Sequence, residues 1–86
     1  MNKKLAWTDE GWKGYLYWQT QDRKKLSRIN KLIEDTLRRP LEGIGKPESL
    51  RANLSGFWSR RIDETNRLVY AVDDDFITII SCRYHY

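Results

Sequence analysis

FWSRRIDETNRLVYAVDDDFITIISCRY, residues 57–84, is the stretch that decides the fold. It divides into three runs rich in β-branched and aromatic residues: Phe57–Ile62, Arg67–Val72 and Phe76–Tyr84. The connections between them, Asp63-Glu64-Thr65-Asn66 and Asp73-Asp74-Asp75, are short and polar. Such spacing predicts hairpins, so the second half of the chain reads as an antiparallel meander. Side chains alternate along a strand, which places Leu68, Tyr70 and Val72 on one face and Arg67, Val69 and Ala71 on the other. Carried to the end of the chain, the same alternation sends Arg83 and His85 to one side and Tyr84 and Tyr86 to the other. Only a curled tail would bring His85 and Tyr86 together.

Upstream, residues 4–8 predict a short strand that runs into a helix start. Thr8 is the N-cap, and Asp9 and Glu10 face the positive end of the helix dipole. Trp12, Tyr15, Leu16 and Trp18 follow helical spacing to about Thr20, while Gly11 and Gly14 make this helix depend on packing. Asp22 caps a second helix that runs to about Arg38, with the apolar stripe Leu26, Ile29, Ile33 and Leu37. Lys24, Arg28, Lys31 and Arg38 form a cationic face, and Pro40 stops the helix. Residues 40–56 read as a loop anchored by Leu41, Ile44, Leu50 and Leu54. The expected architecture is α+β, in the order β-α-α-β-β-β, with two N-terminal helices packed on one face of an antiparallel sheet. The opposite face is left as a groove crossed by Arg67.

At 86 residues, 40% of them apolar and 13% aromatic, the chain is expected to form a single domain, residues 1–86, around one core. The net charge is +4, and the excess lies in residues 1–45, which hold ten Lys/Arg against six Asp/Glu. Basic residues interleaved with aromatics favour an anionic partner, nucleic acid first. One cysteine excludes an internal disulfide, and Cys82, inside an apolar run, reads as a small buried hydrophobe. One histidine and no Cys/His cluster predict neither a metal site nor a cofactor. No apolar run has signal-peptide or membrane-span length, so a soluble cytoplasmic protein without a membrane partner is expected.

The loop with Lys46, Glu48 and Arg51, the sheet residue Arg67 and the terminal His85-Tyr86 could supply a general acid/base phosphodiesterase. A carboxylate takes the proton of a ribose 2′-hydroxyl, a guanidinium offsets charge on the phosphorane, and an imidazolium protonates the departing 5′-oxygen. Residue types alone leave other readings open. Glu48 can be a solvated loop carboxylate, and Arg67 can pair with Asp63 or Glu64 across its hairpin.

A resemblance bears on that choice. Gly45-Lys46-Pro47-Glu48, Asn53–Ile62, Arg67-Leu68-Val69-Tyr70 and Cys82-Arg83-Tyr84-His85-Tyr86 closely resemble the YoeB (Txe) toxins of the RelE/ParE superfamily. The likeness runs from Trp7 to Tyr86 without gaps, and the His-Tyr ending is specific to this branch. It implies a RelE/microbial-RNase-like fold and a ribosome-dependent, metal-independent endoribonuclease that enters the A site, cuts messenger RNA and inhibits translation. Glu48 would be the general base, Arg67 the phosphate-stabilising group and His85 the general acid, with Tyr86 orienting the scissile nucleotide. Lys46 and Arg51 match basic positions flanking the active loop. The helix cations Lys24, Arg28 and Lys31 become ribosome contacts read through charge. Of Arg60 and Arg61, alternation lets at most one reach the groove, and the other meets ribosomal RNA or solvent. Implied partners are a YefM-type antitoxin, a second copy of the chain, and operator DNA through the antitoxin complex. Ser49 stands where the family often has proline, and Arg51 where it often has lysine. The rival reading is a ParE-like inhibitor that binds its target without cutting, and it needs no Glu48, Arg67 and His85 set.

Overall fold

A computed structural model describes residues 3–50 and 56–84. Strand β1 (Lys4–Trp7) leads into helices α1 (Asp9–Gln21) and α2 (Arg23–Arg38). Strands β2 (Glu48–Ser49), β3 (Phe57–Arg61), β4 (Arg67–Val72) and β5 (Phe76–Ser81) follow. They form one sheet in the order β1-β5-β4-β3-β2. From β3 to β5 it is the expected antiparallel meander, and β2, inside the stretch expected as a loop, adds a further antiparallel strand beside β3. β1, however, pairs parallel with β5, Lys4 opposite Phe76 through Trp7 opposite Ile79, so the sheet is mixed. A parallel partner requires a long crossover connection, and the helices and meander provide it.

Both helix starts are capped as the sequence indicated. Thr8 Oγ1 accepts the Gly11 N–H at 3.0 Å, and Asp22 Oδ1 accepts the Lys24 and Lys25 N–H groups at 3.0 and 3.2 Å. The buried face of α1 differs from the predicted stripe. Gly11, Gly14 and Trp18 face the sheet, whereas Trp12 and Leu16 are exposed. A Cβ at Gly11 would overlap the Ile79 carbonyl of β5, so the absent side chain lets the helix backbone lie directly on the strand. The large rings move to the flank, where Trp12 stacks on Tyr15 and Trp7 meets Trp12 edge-on and Tyr15 at a tilt, with centroids 5.0–5.8 Å apart.

The core joins Ile29, Leu32 and Ile33 of α2 and Trp18 of α1 to Leu68, Tyr70, Ile77 and Ile79 of the sheet. Each such apolar side chain, fully buried, contributes about 1.5–3 kcal/mol. Cys82 is buried among them, and burial pushes its thiol up to about 12, so it behaves as a small hydrophobe. The last strand ends at Ser81 rather than Tyr84. Tyr70 pairs with Ile79 but Val69 pairs with Ser81, so Ile80 is passed over. One extra residue moves everything after it to the opposite face. With the strand ended and Tyr84 at φ 67°, the regular alternation expected of Arg83 and Tyr84 does not hold; His85 and Tyr86 lie outside the described residues.

Candidate active site on the open face of the sheet

Helices cover the face that carries Leu68 and Tyr70; the other face carries the site. Three register pairs build it. Glu48 lies opposite Ser59, Ser59 opposite Val69, and Arg61 opposite Arg67. Residues that pair directly share a face, so a carboxylate, a hydroxyl and two guanidinium groups project together. Arg67 Nη1 lies 3.4 Å from Glu48 Oε1 and 3.3 Å from Ser59 Oγ. Glu48, Leu50, Ser59, Arg67 and Val69 line a groove of about 120 Å³.

The alternative pairing of Arg67 across its own hairpin is not what forms. Asp63 is taken by Lys25, at 2.8 Å, and by the turn itself, where its Oδ1 accepts the Thr65 and Asn66 N–H groups. These donors hold the Asp63 carboxyl well below the usual carboxylate range even though burial alone would raise it.

Glu48 reaches the sheet because the loop before it is fastened from below. Leu41 and Ile44, expected as apolar anchors, are both exposed. The fastening is polar, and Arg60 supplies it. Arg60 is fully buried, and every one of its five N–H donors finds an acceptor. Nε donates to the Tyr70 hydroxyl at 3.1 Å. Nη1 donates to Asp35 Oδ2 at 2.7 Å and Ile44 O at 3.1 Å, and Nη2 to Arg39 O at 2.6 Å and Glu42 O at 2.8 Å. Arg60 thus points away from the groove and away from solvent, which corrects its expected place among the RNA contacts. Strand parity decides this: Arg60 shares the helix-covered face with Trp58, opposite Leu68 and Tyr70.

Asp35 completes the fastening, accepting from Arg39 at 2.7 Å and from the Ile44 N–H at 2.9 Å. Burial would raise its pKa, but hydrogen bonds from Arg39, Arg60 and Ile44 hold it far below the ordinary carboxylate range. The chain passes this pair at Gly43, where φ is 117° and a Cβ would overlap the Asp35 carboxylate. Only glycine fits there.

The remaining predicted cations divide. Lys46 is exposed, with φ 52°, at the lip of the loop, and Arg61 is exposed across from Arg67. Lys24 and Lys31 are exposed on α2. Arg28 is half-buried, and its Nη2 donates to Arg61 O at 3.2 Å, which ties the cationic helix face to the end of β3. Arg51, His85 and Tyr86 lie outside the described residues. The chain leading to them is placed, since Tyr84 O accepts the Arg67 N–H at 2.9 Å. Ser59 is not singled out by the sequence, whereas Leu50 is expected only as a loop anchor and Val69 only as a neighbour of Arg67 on the open face; none of the three is expected as groove lining. Their one available signal was the parity of Arg67, but it became useful only once the two-residue β2 fixed which residue of β3 stands opposite Glu48.

The arrangement has counterparts among known proteins. Residues 7–86 match the family model described as YoeB-like toxin of bacterial type II toxin–antitoxin system. Toxin YoeB of Escherichia coli K12 is 61% identical over 83 residues, which is 96% of this chain and 99% of that protein. A YoeB dimer from Staphylococcus aureus superposes with a TM-score of 0.92 at 45% identity, and a YoeB–YefM complex from the same organism with 0.89 at 44%. Both comparisons cover 100% of each chain. A match that spans nearly the whole sequence in this way makes the chain a member of the YoeB-like toxins of bacterial type II toxin–antitoxin systems.

Proposed function

We propose that the chain is an endoribonuclease that cuts messenger RNA on the ribosome and so inhibits translation. The observation that carries this reading is the convergence of Glu48 and Arg67, from a loop strand and a sheet strand, at 3.4 Å in a groove. That separation is long for a charge-assisted bond, so the guanidinium keeps donor capacity for phosphoryl oxygens. Glu48 takes the 2′-hydroxyl proton, and the 2′-oxygen attacks phosphorus. Arg67 offsets charge on the non-bridging oxygens, and His85, as imidazolium, gives its proton to the 5′-oxygen as that bond breaks. The products are a 2′,3′-cyclic phosphate, or the 3′-phosphate from its hydrolysis, and a 5′-hydroxyl. Tyr86 orients the scissile nucleotide. No step of this scheme calls on a metal.

Lys46, Arg51 and Arg61 at the groove, and Lys24, Arg28 and Lys31 on α2, give the surface a cationic character suited to message and ribosomal RNA. A YefM-like antitoxin is the proposed inhibitory partner, its acidic segment folding over the groove, with operator DNA bound through that complex. The dimer and the YefM complex of the Staphylococcus aureus relatives support this and a homodimer for the free toxin. The working compartment is the cytoplasm.

Mapping 5′ ends of a translated message tests the reading: cuts at a fixed codon position are expected only when ribosomes and protein are both present. Glu48→Ala and His85→Ala are each expected to slow cutting by about 10²-fold or more. Near-normal cutting by either variant removes its assigned role. Growth arrest that survives in His85→Ala would favour a toxin that acts by binding alone.

A further inference from the structure

The segment after β5 is fastened more firmly than a chain end ordinarily is. The Trp18 indole N–H donates to Cys82 O at 2.8 Å, and the Arg83 guanidinium lies 3.5 Å from the Tyr17 ring centroid. Tyr84 then adopts φ 67°, a left-handed conformation that costs a bulky residue energy unless its surroundings enforce it. Both of its backbone polar groups are engaged. Its N–H donates to Asn66 Oδ1 at 2.7 Å, and its carbonyl accepts the Arg67 N–H at 2.9 Å.

Asn66 is itself held in one orientation. Only 9% of it is exposed, and its Nδ2 donates to both Asp63 oxygens at 3.2 and 3.1 Å. Asp63 is in turn paired with Lys25 of α2. With the amide nitrogen facing a carboxylate, the amide oxygen must face the Tyr84 N–H. The turn does not need this side chain for closure. Asp63 Oδ1 already accepts the Thr65 and Asn66 N–H groups, and Asn66 O accepts the Ile62 and Asp63 N–H groups.

We propose that Asn66 is a positioning residue for RNA cleavage, acting through His85. It holds Tyr84 in its left-handed turn and so fixes the planar peptide that joins Tyr84 to His85 against the backbone of Arg67. The residue that precedes the proton donor and the residue that binds phosphate then share one hydrogen-bonded corner. This inference rests on the nuclease reading above.

The chemistry supplies a selective test. His85 is needed because the 5′-oxygen leaves poorly without a proton. A 5′-sulfur in its place leaves as a thiolate and needs none, while attack still requires Glu48 to take the 2′-hydroxyl proton. Single-turnover cutting of ribosome-bound message is measured with oxygen or sulfur at the scissile position. Asn66→Ala is expected to cut the oxygen substrate about 10- to 10²-fold more slowly, the scale of a misplaced catalytic group. On the sulfur substrate its defect is expected to be largely erased, as for His85→Ala, while that of Glu48→Ala persists. Exchange of the Tyr84 amide hydrogen, and of the Arg67 amide that donates to Tyr84 O, is expected to quicken, with the other amides of β3 to β5 unchanged. Tyr84→Val, at an exposed position but with a branched side chain that opposes the left-handed turn, is expected to show the same oxygen-specific loss. Normal cutting by Asn66→Ala, equal slowing on both substrates, or an unchanged Tyr84 exchange rate would overturn the proposal. Cutting by the unaltered protein that His85→Ala slows and Asn66→Ala does not would sink this inference alone. Absence of cutting by the unaltered protein would sink the nuclease reading with it.

Discussion

Arg60 and Arg67 stand on neighbouring antiparallel strands, yet they serve opposite ends. Arg60 lies under the helices with all five donors engaged, and Arg67 lies on the open face with two contacts longer than 3.2 Å among the described residues. A guanidinium whose donors are all spent inside the protein can only hold the protein together. One whose donors remain open toward a groove can bind something else. In this protein the first serves the second: Arg60 fixes the carbonyls of residues 39, 42 and 44, and the loop so fixed delivers Glu48 to Arg67.

The sharpest way to break this contrast is to remove each guanidinium in turn. Arg60→Met leaves the Asp35 carboxylate buried without its one fully buried cationic partner, and is expected to cost about 3–5 kcal/mol in denaturant unfolding. Arg67→Met removes a half-exposed pair, so its cost in unfolding is expected to stay within about 1 kcal/mol. Its effect falls on chemistry instead, with cutting slowed by about 10²- to 10³-fold in single-turnover assays, the loss seen when one charge-stabilising donor is removed. If Arg67→Met unfolded the protein, or Arg60→Met left its stability unchanged, the two roles assigned here would have to be exchanged or abandoned.

Acid provides a gentler version of the same comparison. Asp35 and Asp63 both have carboxyls depressed below their unfolded values, near 3.9 for aspartate. Their stabilisation is therefore fully present above about pH 5 and drains away as pH falls through the unfolded value toward their folded values. Melting temperature is expected to be flat from neutrality to about pH 5 and to drop below it. Asp35→Asn should start from a lower melting temperature and show a shallower drop, the remaining slope belonging to Asp63 and to Asp73, whose carboxyl the Phe76 and Asp75 N–H groups also hold down. A drop of unchanged steepness would show that the Asp35–Arg60 pair is not what acid attacks.

Much of this architecture was legible in the residues. Polar turns of three and four residues set the meander. Thr8 and Asp22 marked both helix starts, and the parity of Arg67 against Leu68 marked which face would stay open. The misreadings share a cause. Gly11 and Gly14 do tell that the helix depends on packing, but not that they form its buried face, because a helical stripe is sought among large apolar residues. What buried that face was the close approach that missing side chains permit. Leu41 and Ile44 read as anchors because apolar residues usually are, yet both are exposed and a buried Arg–Asp pair anchors the loop. The passed-over residue Ile80 reverses strand parity just before the tail, and nothing in its composition announces it.

Local chemistry, then, was enough for the elements and for the inventory of reactive groups, because caps, turns and alternation depend on neighbours in sequence. Which groups meet was a tertiary decision. Register across β2, β3 and β4 sets Glu48 beside Arg67, and a close helix–sheet contact, one bulge and one buried guanidinium fix the frame around them. Those are contacts between residues far apart in the chain, and their geometry is settled only when the whole core closes.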